Sequence, residues 1–452
     1  MRKFLLILIL VAITGGAAAI YVNYKDRYPN IVLITIDTLR SDHCTPYGYK
    51  RDTTPFMSTL AQQGSLFENV YAPMPTTGPS HSTMFTSRYP LSHGVVKNGY
   101  VLPKEEVTIA EILQQNGYTT AAVVSSFALN SKFGLNQGFS FYDEEFIGKN
   151  PSMRTDRWQG IEVEGLFDRR AKETTATALK WLKSQGNKPF FLWIHYFDPH
   201  GPYDPPERYK KKFLSALNSD QEPQHTYDMY DGEIAYTDTE IQKVIKYIDD
   251  QGMDEDTLLI VTADHGEGLG QHNHMHHGLF VYEEAVRVPL VIRWPGKIPA
   301  GLRIRDRVEL LDLPPTILEI TGVPAKTAGY QGRSMKSLLK PDAVQRQSRP
   351  IFFQRRLYET ENYKGHVVKG EKLGVLLDQW KYIEALKEQS VELYDLKNDP
   401  GELTNVSRDH PDQVKQLSLL IQEWRKKYGK GSYNQKMSEE DIEALRSLGY
   451  VQ

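Results

Sequence analysis

Continuous apolar runs alternate with amphipathic stretches along this chain. Asn30–Ile36 reads NIVLITI, and the runs Pro189–His195 (PFFLWIH), Thr257–Thr262 (TLLIVT) and Val288–Trp294 have the same character. Ala121–Val124 is a shorter example. Such runs predict strands covered on both faces. Helical spacing fills the gaps. Thr54–Gln63 has a Thr cap, Pro55 in the first turn, Phe56, Met57 and Leu60 on one face, and Gly64 at its end. Thr108–Asn116 repeats that logic before Gly117, and Ala171–Gln185 and Gly232–Gln251 are further helices. The alternation predicts an α/β domain, residues 28–342, built on a large mainly parallel sheet sandwiched by helices. Beyond Pro341 the pattern becomes short strands at Ile351–Gln354, His366–Lys369, Trp380–Ile383 and Val391–Leu396, then a helix over Pro411–Tyr428. That predicts a small C-terminal α+β subdomain, residues 346–428. A polar tail, 429–452, follows, with a short helix expected over Glu439–Leu448.

The N-terminus adds a membrane expectation. Arg2 and Lys3 precede an apolar run from Phe4 to Val22. A positive flank before such a run reads as an export signal or an anchor. Some 19 residues at about 1.5 Å each reach roughly 28 Å, close to the hydrocarbon thickness. Ala17 and Ala19 offer a cleavage pattern, but the first core strand starts near Asn30 and leaves little spacer. Residues 1–24 are therefore expected to be an uncleaved single-pass anchor, with the catalytic domain outside the membrane. Lys+Arg of 54 against Asp+Glu of 57 gives a net charge of -3, which offers no reason to expect nucleic acid. The lone Cys44 excludes an internal disulfide.

Candidate chemistry gathers at strand ends, where open α/β sheets bind ligands. Asp37 follows the first strand and Asp264–His265 follows Thr257–Thr262. Asp37 alone reads equally as a turn cap; with Asp264 and His265 it reads as a set converging on a cation. Arg40 and Asp42 are candidates to orient it. Thr77 precedes a helix opened by Pro79, Ser80 and His81. Amides at a helix start stabilise an oxygen nucleophile or a bound oxyanion, although Thr77 alone reads as well as an N-cap. The run QHNHMHHG holds His272, His274, His276 and His277. It reads as a solvated loop in which one or two histidines act, His277 first. Asp198 with His200 and a loop histidine is a candidate for a second cation.

The segments ITIDTLRSDH, TTGPSHSTMFTSRYPLSHGV, WIHYFDPHGPYDPP, IVTADHGEGLGQH and YEEAVRVPLVIRWPG resemble the successive blocks of the sulfatase family, and ELYDLKNDPGELTN resembles its small C-terminal subdomain. The resemblance implies an alkaline-phosphatase-like fold. It implies that Asp37, Asp264 and His265, with Thr77, hold one metal, and that Thr77 occupies the place of the formylglycine precursor. His200 matches an oxyanion contact, His277 a leaving-group residue, and Asn98 an asparagine beside the nucleophile in phosphonate-ester hydrolases. The chain departs from the pattern in three places. Cys-x-Pro-Ser-Arg is Thr77-Gly78-Pro79-Ser80-His81. The second Asp of an Asp-Asp pair is Thr38. Ser125-Ser126-Phe127-Ala128 replaces a Lys- and His-bearing block. The expected function is a metal-dependent hydrolase of sulfate or phosphate esters, with Thr77 as nucleophile and His81, Asn98, His200 and His277 on the oxyanion or leaving group. A phosphoethanolamine- or phosphoglycerol-type transferase and an inert sulfatase-like binding protein are the alternatives. One imidazole among few carboxylates points to Zn²⁺ or Mn²⁺, and waters could complete a Ca²⁺ or Mg²⁺ shell. The expected partners are a sulfated or phosphorylated small molecule, glycan or lipid, and the membrane.

Overall fold

The computed structural model describes residues 28–146, 157–158, 161–162, 168–186, 188–214, 224–325, 329–343, 348–355, 358, 362–363 and 366–429. The segment 1–24, the tail from 430 and the expected helix Glu439–Leu448 lie outside them. Among the described residues no helix is long and apolar enough to cross a membrane.

The large sheet has eight strands: β1 (Asn30–Ile36), β2 (Ser65–Tyr71), β3 (Thr119–Val123), β4 (Phe141–Asp143), β5 (Phe190–Tyr196), β6 (Thr257–Ala263), β7 (Arg287–Arg293) and β8 (Leu302–Glu309). Their spatial order is β8-β2-β7-β6-β1-β5-β3-β4. β7 runs antiparallel to β6 and β2, and the other pairings are parallel. The sheet is mainly parallel, as the buried apolar runs predict. β1 lies at its centre, paired on one side with β5 and on the other with β6. Ile36 is opposite both Tyr196 and Ala263, so Asp37 and Asp264 leave the sheet side by side at its carboxyl edge.

Three of these strands escape the sequence pattern: β2, the short β4 and β8. β2 is interrupted by the half-buried Glu68 and Asn69. β8 is an edge strand carrying Arg303, Arg305 and Arg307, and its polar side chains and bulge protect an open edge. The helix read as starting at Gly232 extends over Gln224–Asp250. Gly232 lies inside it, where a Cβ would come within 2.7 Å of Pro205 Cγ. Helix Pro55–Gln63 follows Thr54, but its cap comes from elsewhere: Asp238 accepts from the amides of Phe56 and Met57. Thr108 does cap its helix, in a reciprocal pair with Glu111.

The C-terminal part carries an antiparallel sheet of β9 (Ile351–Gln354), β10 (Leu373–Leu377), β11 (Trp380–Ala385) and β12 (Ser390–Asp395), in that order. β10 is absent from the sequence reading, and His366–Val367 pairs with Asn362–Tyr363 in a separate two-stranded ribbon. Helix Pro411–Tyr428 buries Leu417, Ile421 and Trp424 against this sheet and against Tyr89, Leu91 and Leu311 of the larger part. The two parts therefore share a core.

Candidate active site

His265 Nε2 is the point on which the site converges. It lies 3.6 Å from Asp37 Oδ1, 3.5 Å from Asp264 Oδ2 and 3.4 Å from Thr77 Oγ1. Donor atoms of Asp37, Asp264 and His265 all fall within 4.8 Å of one another, and all three residues are buried. The local backbone fixes each group. Asp264 Oδ1 accepts from the amides of Thr38 (3.2 Å) and His265 (2.8 Å), while Oδ2 has no hydrogen-bond partner among the described residues. His265 Nδ1 donates to the Gly266 carbonyl at 2.9 Å, which leaves the Nε2 lone pair for the site. Thr38, a β-branched residue, is held at φ 56° with its carbonyl accepting from Tyr230, a strained turn of the kind found where side chains must be aimed.

The electrostatics fit a cation. Burial, and then the neighbouring Asp37 charge, push the Asp264 carboxyl well above the ordinary carboxylate range. Burial and the facing His277 hold His265 well below the ordinary imidazole range, so it stands as a neutral ligand. Two adjacent buried carboxylates, one with an oxygen lacking any hydrogen-bond donor, beside a lone pair of fixed tautomer, form a donor set suited to one divalent metal. The residues fit the group that the sequence implies.

Thr77 is the first residue of helix Thr77–Thr86, all of which is buried, rather than the residue before it. Thr76 holds the cap position and makes no side-chain cap bond. Asn98 Oδ1 accepts from the Gly78 amide at 2.7 Å, and Asn98 Nδ2 is buried with no hydrogen-bond partner among the described residues. Gly78 allows this approach, since a Cβ there would sit 3.0 Å from Asn98 Oδ1. Ser80 Oγ donates to the Asp264 carbonyl at 2.6 Å and ties the helix to the end of β6.

His81 belongs to this cluster in another capacity than expected. Its Nδ1 donates to the Thr77 carbonyl (2.8 Å) and its Nε2 accepts from Thr35 Oγ1 (3.0 Å), which itself accepts from Trp193 Nε1. Both ring nitrogens are engaged within the fold, and through the Thr77 carbonyl His81 supports Thr77. Arg40 and Asp42 pair with each other, and Arg40 reaches the Glu267 carbonyl and Gln271 instead of Asp37. Asp198 is bound to Arg170 (3.3 Å) and to the Ala171 amide at a helix start (2.7 Å). That commitment removes the second-cation arrangement with His200.

His200 and His277 close the other side. Their rings lie 5.1 Å apart, and the His277 ring is 4.5 Å from that of His265. His200 Nδ1 donates to the Gly201 carbonyl, and burial lowers its pKa. Of the histidine run, His272 pairs with Glu284 and His274 packs on Phe280. Two site residues escaped the sequence reading. His195, on β5 opposite Thr35, has Nε2 3.5 Å from Asp37 Oδ2. Burial pushes it down to about 3. A lone polar residue in an otherwise apolar strand was the available signal. Glu267, two residues after His265, is buried with Oε1 3.2 Å from His277 Nδ1.

An eight-stranded α/β sheet with two carboxylates, an imidazole and a hydroxyl at its carboxyl edge defines an ester hydrolase of the alkaline phosphatase superfamily. The sulfatase family profile matches residues 29–323, and that of the N-sulphoglucosamine sulphohydrolase C-terminal region matches residues 270–427. This chain belongs to the sulfatase family. It is 23% identical to the N-acetylglucosamine-6-O-sulfatase of Bacteroides thetaiotaomicron, over 94% of this chain and 91% of that one. It is 25% identical to the arylsulfatase of Clostridium perfringens, over 87% and 94%. The fold superposes with a TM-score of 0.71 on the phosphonate monoester hydrolase of Agrobacterium radiobacter, at 22% identity, covering 88% of this chain and 96% of that one. It superposes with a TM-score of 0.74 on an enzyme solved with its substrate D-glucosamine-2-N,6-O-disulfate, at 22% identity, covering 90% and 100%.

Proposed function

We propose that the protein cleaves esters bearing a single negative charge, such as sulfate monoesters or phosphonate monoesters, with Thr77 Oγ1 as nucleophile. The observation that carries this reading is the convergence of Thr77, Asp37 and Asp264 on His265 Nε2 at 3.4–3.6 Å. A divalent metal bound by Asp37, Asp264, His265 and Thr77 would lower the pKa of the hydroxyl and neutralise ester oxygens. Around it, the donors assigned to substrate are an amide, Asn98 Nδ2, and imidazoles. Burial holds His200 low. Neutral donors with one metal suit a monoanionic ester better than a dianionic phosphate monoester. Thr77 Oγ1 gives up its proton to solvent water and forms a bond to sulfur or phosphorus as the bond to the leaving oxygen breaks. His277, held by Glu267, protonates that oxygen, and water then frees Thr77. Threonine has no route to formylglycine, so the covalent ester must be resolved by an external acceptor. An alcohol in place of water would make the same site a phospho-transferase.

Sulfated sugars are the substrate class that the relatives suggest. Arg2 and Lys3 followed by the apolar run Phe4–Val22 support an N-terminal anchor with the site outside the membrane. The test compares nitrophenyl sulfate, phenylphosphonate and phosphate substrates on the metal-loaded full chain. Thr77→Ala is expected to lower turnover by at least about 10³-fold with an unchanged fold, and Thr77→Ser to retain part of it. Full activity in Thr77→Ala, or a preference for the phosphate dianion, would sink this reading.

A further inference from the structure

The segment Gly270–Gly278, which carries His277, is a strained loop. His272, Asn273 and His276 sit at φ 53°, 52° and 77° between Gly270 at 109° and Gly278 at 88°. Non-glycine residues persist in the left-handed region only where their surroundings over-determine them. On one side the hold comes from the larger part of the molecule: Arg40 Nη1 donates to the Glu267 carbonyl (3.0 Å) and to Gln271 Oε1 (3.1 Å). On the other side it comes from a residue of the ELYDLKNDPGELTN motif. Glu402 is buried, itself at φ 53°. Its carbonyl accepts from His272 Nε2 at 3.1 Å, and Nδ1 of the same ring lies 2.7 Å from Glu284 Oε1. Its carboxylate accepts from the Glu283 amide at 2.6 Å and meets Lys381 Nζ at 2.9 Å. Lys381, fully buried on β11, also reaches Glu283 Oε1 at 3.0 Å. Glu284 in turn accepts through its carbonyl from the Glu267 amide, and Glu267 holds His277.

We propose that Glu402 is a positioning residue for the reaction: from the C-terminal subdomain it clamps the Gly270–Gly278 loop in its strained form and so sets His277 against His265 and His200. The chemical consequence rests on the assignment of His277 to the leaving group made above. A misplaced leaving-group acid slows esters of poorly leaving alkyl alcohols and spares nitrophenyl esters, whereas damage to the metal or to the fold slows both alike.

The experiment uses the full metal-loaded chain and three variants. Glu402→Gly keeps the φ and removes the carboxylate, Glu402→Gln keeps the acceptor for Glu283, and His272→Asn keeps a residue tolerant of positive φ without the imidazole. Amide hydrogen exchange over residues 270–278 reads the clamp, and kcat/KM for an alkyl and a nitrophenyl sulfate reads the chemistry. Glu402→Gly and His272→Asn are expected to speed exchange in the loop. Both should cost the alkyl ester on the order of tenfold more than the nitrophenyl ester, and Glu402→Gln should recover most of both effects. Faster loop exchange with equal losses on the two esters upholds the clamp and removes His277 from the leaving group. Exchange at wild-type rates in both Glu402→Gly and His272→Asn overturns the proposal, whatever the rates of turnover.

Discussion

Single side chains in this molecule are tuned by burial. His93 is 1% exposed, accepts from the Val95 amide through Nδ1 and donates to Thr83 Oγ1 through Nε2. Burial, and then Arg88, push it down to about 3 from 6.5. The folded state therefore binds a proton less readily than the unfolded chain between those values, and stability falls as pH drops below about 6.5. His93→Gln, which cannot take up the proton, is expected to gain on the wild type by about 1.4 kcal/mol per pH unit below that point. Urea unfolding at pH 7 and pH 5.5 checks it; a constant gap would remove His93 from the acid response. Residues of this kind were unevenly legible. Asp37, Asp264 and His265 stand at the ends of apolar runs and could be read from the chain. His195 hides within such a run, and only its pairing opposite Thr35 brings it to Asp37.

Elements are positioned by close approaches that a pattern does not announce. Gly266 follows His265, and a Cβ there would lie 2.0 Å from the Glu284 carbonyl oxygen. Its amide donates to the Ala285 carbonyl at 2.9 Å, so the backbone after β6 is pressed against the turn that leads into β7. Gly266→Ala is expected to destabilise by about 3 kcal/mol or more, since backbone rather than a flexible side chain must give way. It should also displace His265 and suppress turnover. A denaturant midpoint equal to the wild type would show that this contact is loose. Gly64 has a similar basis: it looks like a helix terminator in sequence, yet its φ is -140°, and a Cβ would meet the Ile292 carbonyl at 2.4 Å.

The whole molecule behaves as one unit because, among the described residues, the core of its smaller part is shared with the larger. Trp424 is 3% exposed, stacks on Phe352 at 4.9 Å and meets Tyr89 edge-on at 5.3 Å. Tyr89 belongs to the larger part and donates to the buried Glu309, and Arg349 pairs with Glu309 and Asp312 across the same seam. Trp424→Ala is expected to cost about 3–5 kcal/mol. Calorimetry should still show a single transition; a separate early transition for the C-terminal sheet would contradict the shared core.

By itself the sequence determined the class of fold and singled out Asp37, Asp264 and His265, the donor groups that the structure gathers. Strands buried on both faces must be continuously apolar, and charged groups placed at their ends announce themselves by contrast. It also placed Thr77 at a helix start. Tertiary structure decided which of the other polar residues are already committed to partners within the fold. His81 spends both ring nitrogens on Thr77 and Thr35, and Asp198 is taken by Arg170. His277, held by Glu267, faces His265 at 4.5 Å, while its neighbour His272 is taken by Glu284 and Glu402. Hydrogen-bond commitments of this kind depend on partners distant in sequence, and no local pattern records them.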